Sequence, residues 1–173
     1  MSQFDLCYNF MMDNEDPSRV YACLPDAPPG AYAISGVNSA AWPGPFATIE
    51  AIPQADRGPA VEAFYRTNFW DSNPQIENII SNQVAERYYD ASVNMGTRPA
   101  TKLLQQAVNK IAPGSVALDG CLGPLTVAAV NHCDPDALVN SFRAMREAFY
   151  RRLVLINPDN QPYLAGWLKR AGE

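Results

Sequence analysis

The chain has 173 residues, a hydrophobic content of 47% and a formal net charge of −5. This length fits one compact domain, and the hydrophobic content excludes wholesale disorder. The acidic balance gives no general attraction to polyanions, so DNA and RNA are not expected as partners. The apolar runs are far shorter than the ~20 residues of a membrane-spanning helix, so membrane insertion is not expected.

The first residues include Asp5 but no Lys or Arg, which is not the pattern of a secretory signal peptide. We therefore expect synthesis in the cytoplasm. The four cysteines form no C-x-x-C pair, and the single histidine, His132, does not complete a zinc site. Neither a structural metal nor a cofactor is expected. Local disulfides (Cys7 with Cys23, Cys121 with Cys133) and buried free thiols are both compatible with the spacing.

The first 72 residues predict one helix, then a long irregular region, then a second helix. Apolar residues recur at helical spacing from Phe4 to Met11, which predicts a helix over 3–13. The segment 25–59 is rich in Pro, Gly, Ala and Ser, and Pro43-Gly44-Pro45 is typical of a helix breaker. We expect turns there, with a short hairpin near 32–37. Another helix is expected over 59–70, because proline favours the first helical turn.

From residue 73 onward the pattern is helical almost throughout. Helices are predicted over 83–94, from Pro99 to about Ile111, over 124–131, over 136–156 and over 162–171. The predicted fold class is mainly α, with one loop-rich lobe near the N-terminus.

Several motifs of the second half occur in a characteristic order. Residues 90–96 read D-x-x-V-N-x-G, residues 103–105 read L-L-Q, and residues 119–126 read D-G-x-x-G-P-x-T. The chain then ends on G-W-x-x-R at 166–170. This order resembles the helical C-terminal half of the glycosyl hydrolase 108 family, which contains lysozyme-like N-acetylmuramidases that cut peptidoglycan. The resemblance implies a single lysozyme-like domain over 1–173, with a catalytic, loop-rich lobe over 1–72 and a helical lobe with a peptidoglycan-binding region over 73–173.

The resemblance also implies a catalytic acid. The family has a glutamate at the end of its first helix, usually followed by Gly-Gly, and Glu15 stands at that position here. Glu15 would then be the general acid, and the nearby carboxylates of Asp13 and Asp16 would favour its protonated form. A charged helix end without catalysis fits the same residues. Glu50 is the second choice for the acid.

The segment 26–35 is similar to a family segment of the form D-P-G-G-x-T-x-x-G-I-S. It offers Asp26 as the second catalytic group or, alternatively, as a turn-forming residue before Pro28. Ser35 is a further candidate for positioning water or substrate. Ala31 and Ala33 replace a Thr and a Gly of the family, and Asp16-Pro17 replaces the Gly-Gly pair. These departures motivate a non-catalytic alternative.

Sugar-binding clefts place aromatic faces against the pyranose ring and amides against its hydroxyls. The candidates for these contacts are Tyr32, Tyr88, Tyr89, Asn94 and Tyr163, with Trp42 and Trp70 behind them. Aromatic residues at helical spacing also occur as core packing, as expected for Tyr65, Phe69 and Trp70. Asn94 either caps a helix end or faces the cleft.

Two further features have structural as well as functional interpretations. Gly120 and Gly123 permit a tight turn before the helix that begins at Pro124, and the corresponding region of the family is a peptidoglycan-binding element. The arginines of the long helix are expected on a solvated or salt-bridged face; they are Arg143, Arg146, Arg151 and Arg152.

The leading hypothesis is an N-acetylmuramidase that cleaves the β-1,4 bond between N-acetylmuramic acid and N-acetylglucosamine. We expect it to be an antibacterial effector of type VI secretion, exported to the periplasm of a target cell and blocked by a cognate immunity protein. The alternatives are a phage-type endolysin and a non-catalytic peptidoglycan-binding protein. The expected partner in each case is the peptidoglycan glycan strand.

Overall fold

The computed structural model describes residues 1–172 and divides into two compact units, Met1–Ser72 and Asn73–Glu173. Helices dominate both units, and the strands of the described chain lie in the first unit. Within residues 1–172, no helix combines the length and the apolar character needed to cross a bilayer. The two units are described in turn.

The first unit begins with a helix, continues into a small sheet and returns to helices. Its elements are α1 (Gln3–Glu15), β1 (Cys23–Asp26), β2 (Ala31–Ile34), β3 (Val37–Asn38), α2 (Pro43–Glu50), a 3-10 turn (Gln54–Asp56), α3 (Gly58–Tyr65) and a π-helical turn (Arg66–Trp70). The predicted hairpin near 32–37 is present as β2 and β3.

Helix α1 is fixed at its start by a capping box. The Ser2 hydroxyl accepts a hydrogen bond from the Asp5 backbone N–H, and the Asp5 carboxylate accepts one from the Ser2 N–H. Its apolar face packs into an aromatic core, where the Phe4 ring lies 5.5 Å from Trp70 and stacks on Tyr8 at 5.6 Å. The helix continues two residues beyond the predicted end, to Glu15.

The prediction of turns over the segment 25–59 was wrong in its C-terminal part. Helix α2 begins at Pro43, within the Pro-Gly-Pro sequence, which is also typical of a helix breaker. Proline lacks an N–H, but the first-turn N–H groups of a helix have no intrahelical partner, so prolines are tolerated there. Phe46 and Ile49 then bury one face of the short helix.

The sheet is antiparallel, with strand order β1-β2-β3. Cys23 pairs with Ile34 and Asp26 with Ala31. Between β2 and β3 the turn has only two residues, Ser35 and Gly36, with φ of 46° and 81°. Positive φ at both positions matches the right-handed twist of the flanking strands.

The second unit is built from helices. They are a 3-10 turn (Pro74–Asn78), α4 (Asn82–Met95), α5 (Thr97–Ile111), α6 (Pro124–His132), α7 (Pro135–Ile156), a second 3-10 turn (Pro158–Tyr163) and α8 (Leu164–Gly172). Helix α5 packs against α4 and α7, and α8 packs against α7. The apolar faces of α5 and α7 supply buried residues such as Leu104, Val108, Leu138 and Phe142.

A buried ionic cluster ties α4, α7 and α8 together. The carboxylate of Asp90 is fully buried and accepts hydrogen bonds from Arg146 Nη2 at 2.8 Å and from Arg170 Nε at 2.9 Å. Arg146 is itself only 1% exposed, so the expectation of a solvated position is wrong for this arginine, and the salt-bridged alternative holds. Arg143, Arg151 and Arg152 are exposed on the same helix.

Replacing Asp90 by Ala should destabilise the second unit strongly. The substitution removes the carboxylate that both guanidinium groups bind, and breaking a buried pair in this way costs about 3–5 kcal/mol. Urea unfolding followed by circular dichroism measures the loss. The matched control is Glu147→Ala, which removes the more exposed Arg143–Glu147 pair and should change stability by less than ~0.5 kcal/mol. A loss below ~1 kcal/mol for Asp90→Ala would contradict this role.

Candidate functional site

A cleft of about 480 Å³ in the first unit contains three of the residues predicted to act in catalysis or binding. The end of α1, the loop that follows it, β1 and the β2–β3 turn form its walls. Glu15, Asp26 and Ser35 line it, together with Asp16 and Gly36. Residues that are separate in sequence therefore meet around one solvent-accessible space.

Glu15 is the last residue of α1 and is half-buried. Its carboxyl group packs against Gly36 so closely that a Cβ at that position would lie 2.5 Å from Glu15 Oε2. The Tyr65 hydroxyl lies equally close to the same point, and it donates a hydrogen bond to the Ser35 carbonyl at 2.8 Å. The glutamate is thus placed by a helix end, a glycine turn and a buried tyrosine.

Asp16 organises the loop after α1. Its carboxylate accepts hydrogen bonds from the backbone N–H groups of Tyr21 (2.7 Å) and Val20 (3.2 Å) and from the Ser35 hydroxyl (2.8 Å). Partial burial alone would raise the pKa of Asp16, but these hydrogen bonds together outweigh it and lower the pKa. Asp13 pairs with Arg19 at 2.8 Å. Both acids beside Glu15 therefore have partners of their own.

Arg57 is a second structural residue of this region that the sequence did not single out. It is 8% exposed, and its guanidinium donates to the backbone carbonyls of Tyr21, Glu50 and Ile52. Since an arginine presents five donors in a fixed plane, one side chain can hold the loop after α1 against the end of α2.

Asp26 combines the two roles considered for it. Its Oδ2 accepts a hydrogen bond from Asn38 Nδ2 at 2.7 Å, and its Oδ1 accepts one from the Ala27 N–H at 2.8 Å. It therefore stabilises the connection between β1 and β2. It is also exposed and lines the same cleft as Glu15. Glu50, the second choice for the acid, is at the exposed end of α2, where it accepts a weak hydrogen bond from Cys23 Sγ at 3.8 Å.

Tyr32 does not line this cleft. Successive side chains of a strand point to opposite faces, and its neighbour Ala33 is the residue of β2 that faces the cleft. The Tyr32 ring is 47% exposed on the other face. Ser35 does line the cleft, and its hydroxyl donates to Asp16, which leaves its lone pairs able to accept a hydrogen bond.

The prediction that Tyr88 and Tyr89 contact sugar was wrong. Both side chains are 0% exposed in the core of the second unit. The Tyr88 hydroxyl hydrogen-bonds with Asn73 (2.9 Å) and Thr101 (2.7 Å), and burial raises the pKa of Tyr88. On α4 these two tyrosines face the packed interior. The apolar spacing of the helix is compatible with a position in the core as well as with one in a cleft.

Asn94 and Tyr163 belong to a packing arrangement at the end of the second unit. Asn94 Oδ1 accepts a hydrogen bond of 2.6 Å from the Tyr150 hydroxyl. Tyr150 stacks on Trp167 at 5.3 Å, and Trp167 stacks on Tyr163 at 5.7 Å. Tyr163 retains 49% exposure and can offer its outer surface to a ligand.

The D-G-x-x-G-P-x-T loop is held by Gln105 of the L-L-Q motif. The buried Gln105 amide donates to Asp119 Oδ1 at 2.7 Å and accepts from the Gly120 N–H at 3.0 Å. Gly120 has φ of 76°, and a Cβ there would lie 2.7 Å from Arg98 Cγ. Both motifs are visible in the sequence, whereas the contact between them is visible only in the structure.

Within residues 1–172, the four cysteines are free thiols, so the interpretation as two local disulfides was wrong for this structure. Cys7 faces the core of the first unit, and Cys133 Sγ donates to the Ala129 carbonyl at 3.3 Å. The part of the chain that the structure describes contains no group of three His, Cys, Asp or Glu side chains placed to hold a metal ion.

Comparison with known proteins finds a family model that matches within the helical second unit. Residues 99–172 match the family model described as "Predicted Peptidoglycan domain", which relates this part of the chain to a peptidoglycan family. The chain is also similar to the solved structure of SagA from Brucella abortus, with a TM-score of 0.70 and 22% sequence identity. The similarity covers 98% of this chain and 89% of the SagA chain. At this identity the likeness shows the fold, and the prediction of a mainly α, lysozyme-like fold is confirmed. The chain has no match among curated proteins.

Gly36→Ala should destabilise the first unit through contact with Glu15 and Tyr65. Any side chain is strained at φ of 81°, and the new Cβ would also overlap both oxygen atoms. Gly30→Ala is the matched control, because Gly30 has φ of 90° but no atom within 4 Å of the added Cβ. Chemical denaturation should show a loss about 1–3 kcal/mol larger for Gly36→Ala. Equal losses for the two variants would show that Gly36 serves the turn alone.

Proposed function

We propose that the protein is a peptidoglycan glycoside hydrolase, an N-acetylmuramidase that cleaves the β-1,4 bond between N-acetylmuramic acid and N-acetylglucosamine. The observation that carries the proposal is the position of Glu15, at a helix end and facing a cleft that also contains Asp26. The peptidoglycan family match over 99–172 supports the choice of polymer. The resemblance to the glycosyl hydrolase 108 family supports the reaction.

In the proposed mechanism Glu15 donates a proton to the oxygen that leaves the sugar, and a water or Asp26 acts on the opposite face of the ring. Proton donation requires a carboxyl group held in one orientation, and the close packing of Gly36 against the Glu15 carboxyl group restricts that orientation. Ser35 is held by Asp16 and can accept a hydrogen bond from a sugar hydroxyl. Sugar contacts outside this cleft are proposed separately for Tyr32, on the other face of β2, and for Asn94 and Tyr163 in the second unit.

The alternative is a non-catalytic protein that binds peptidoglycan. One observation favours it: both oxygens of Asp26 accept structural hydrogen bonds, from Asn38 and from the Ala27 N–H. A carboxylate occupied in this way is less available as a nucleophile or base.

Glu15→Gln should abolish the release of reducing ends from purified peptidoglycan. An amide of the same shape cannot donate the proton, and loss of a general acid lowers the rate by about 10²–10⁴-fold. Mass spectrometry of the products should show muramic acid at the new reducing ends. The matched control is Glu50→Gln, at the exposed end of α2, which should retain full activity.

The other results of this experiment are equally informative. Activity that survives in a folded Glu15→Gln protein would contradict the role of Glu15. A folded wild-type protein that binds sacculi without releasing reducing ends would establish the binding alternative.

We further propose that the protein acts in the periplasm of a target cell, as an antibacterial effector delivered by type VI secretion. The location of the proposed substrate supports the site of action, since peptidoglycan lies outside the cytoplasmic membrane. A cognate immunity protein would then block the cleft around Glu15. The alternative route is that of a phage-type endolysin.

Directing the chain to the periplasm of a test bacterium should cause lysis, whereas cytoplasmic expression and periplasmic Glu15→Gln should not. Turbidity and microscopy measure the effect. Rescue by a small secreted protein encoded beside the gene is expected for an effector. Lysis without such rescue, together with a holin gene in the same position, would contradict the effector proposal and favour the endolysin.

A further inference from the structure

A groove of about 670 Å³ runs along the second unit, on the surface of α5 and α7. Its walls carry three cationic side chains, Arg98 and Lys102 from α5 and Arg152 from α7. Its floor is apolar and includes Leu103, Met145 and Phe149. The residues that line the groove include no carboxylate.

The charge of this groove contrasts with that of the whole chain. The chain has 18 acidic and 13 basic residues. Most other arginines described above are engaged, as Arg146 and Arg170 are with Asp90. Within residues 1–172, Lys102 and Arg152 form no ion pair with a carboxylate. Unpaired cations of one sign along a concave surface create a local positive potential that attracts an anionic ligand.

The arrangement of the cations follows from helix geometry. Arg98 and Lys102 are four residues apart, so they lie on the same face of α5, about 6 Å apart along its axis. Arg152 lies on α7, which packs against α5. Side chains from two helices thus flank the half-buried Phe149 and Met145. An occupant of this groove must combine negative charge with a small apolar surface.

We propose that this groove binds the peptide stem of peptidoglycan. The inference rests on the proposed peptidoglycan function and extends it from the glycan to the peptide. The stem is a short peptide that contains alanine residues and carries free carboxylates. Guanidinium and ammonium groups bind carboxylates through charge-assisted hydrogen bonds, and the apolar floor accommodates methyl groups. An uncharged glycan would need neither the three cations nor the absence of carboxylates from the groove lining. All residues that line the groove, except Arg98, lie within residues 99–172, the region that matches the peptidoglycan family model. This position agrees with the proposed ligand.

The test uses the full chain and a fluorescently labelled synthetic stem pentapeptide, L-Ala-γ-D-Glu-diaminopimelate-D-Ala-D-Ala. Fluorescence anisotropy should show binding that weakens as salt concentration rises, because the contacts are solvent-exposed. Lys102→Glu and Arg152→Glu should each weaken binding by about tenfold or more, since each converts an attraction into a repulsion. A neutral N-acetylglucosamine tetrasaccharide should bind with unchanged affinity to both variants.

Two control variants carry the same change of charge on the same helices. Lys110→Glu on α5 and Arg151→Glu on α7 alter exposed residues that do not line the groove. They should weaken peptide binding by less than about twofold, as expected for screened charges outside the contact. Equal weakening by control and groove variants would overturn the site, because the effect would then be one of net charge. Circular dichroism establishes that each variant is folded.

The outcome separates this inference from the proposed hydrolysis. Glu15→Gln should bind the pentapeptide as the wild type does. Reducing-end release without peptide binding would overturn the groove and leave the muramidase proposal standing. Peptide binding without reducing-end release would contradict the muramidase alone. Binding to vesicles of phosphatidylglycerol that depends on Lys102 and Arg152, with no binding to the peptide, would overturn the stem proposal in favour of a membrane surface.

Discussion

The carboxylate of Asp90 is the constraint on which the second unit depends. A buried anion is tolerated only when cations and hydrogen bonds compensate the lost hydration, and here Arg146 and Arg170 supply both. These partners lie 56 and 80 residues further along the chain, so the ion cluster can form only when α4, α7 and α8 are assembled. The groove of α5 and α7 depends on that assembly, because α7 carries both Arg146, which binds Asp90 in the interior, and Arg152, which lines the groove.

In the first unit, the close approach of the backbone at Gly36 constrains the carboxyl group of Glu15. The two-residue turn of Ser35 and Gly36 brings a glycine Cα against the carboxyl group, where no side chain would fit. Asp16 holds the neighbouring loop through backbone N–H groups, and Arg57 holds it through backbone carbonyls. The cleft is therefore shaped by polar groups that bind the main chain, while the side chain proposed to act on substrate remains at its wall.

Sequence patterns predicted the helices of the second unit well because apolar periodicity and proline positions are local signals. Helix α2 was missed because Pro43 can either end a helix or begin one, and only the burial of Phe46 and Ile49 decides between these roles. Tyr88 and Tyr89 were misplaced for a similar reason: an aromatic residue at helical spacing fits both a core and a cleft. Asp90 and Arg170 both belong to motifs of the second half, but they are distant in sequence, so their pairing is visible only in the tertiary structure. The family resemblance placed Glu15 at a helix end, whereas the apolar spacing ended the helix at residue 13. The close approach of Gly36 to Glu15 depends on the tertiary structure and has no local signal in the sequence.

The stack of Tyr150, Trp167 and Tyr163 makes the second unit optically distinguishable. Trp42 and Trp70 both belong to the first unit, whereas Trp167 is half-buried between two tyrosine rings. Indole emission depends on its surroundings, so a chain that keeps Trp167 as its single tryptophan would report on α7, α8 and the turn between them. The unfolding of that helical end could then be followed separately from events around Glu15. The stacked rings of Tyr150, Trp167 and Tyr163 thus provide an intrinsic fluorescent probe of the second unit.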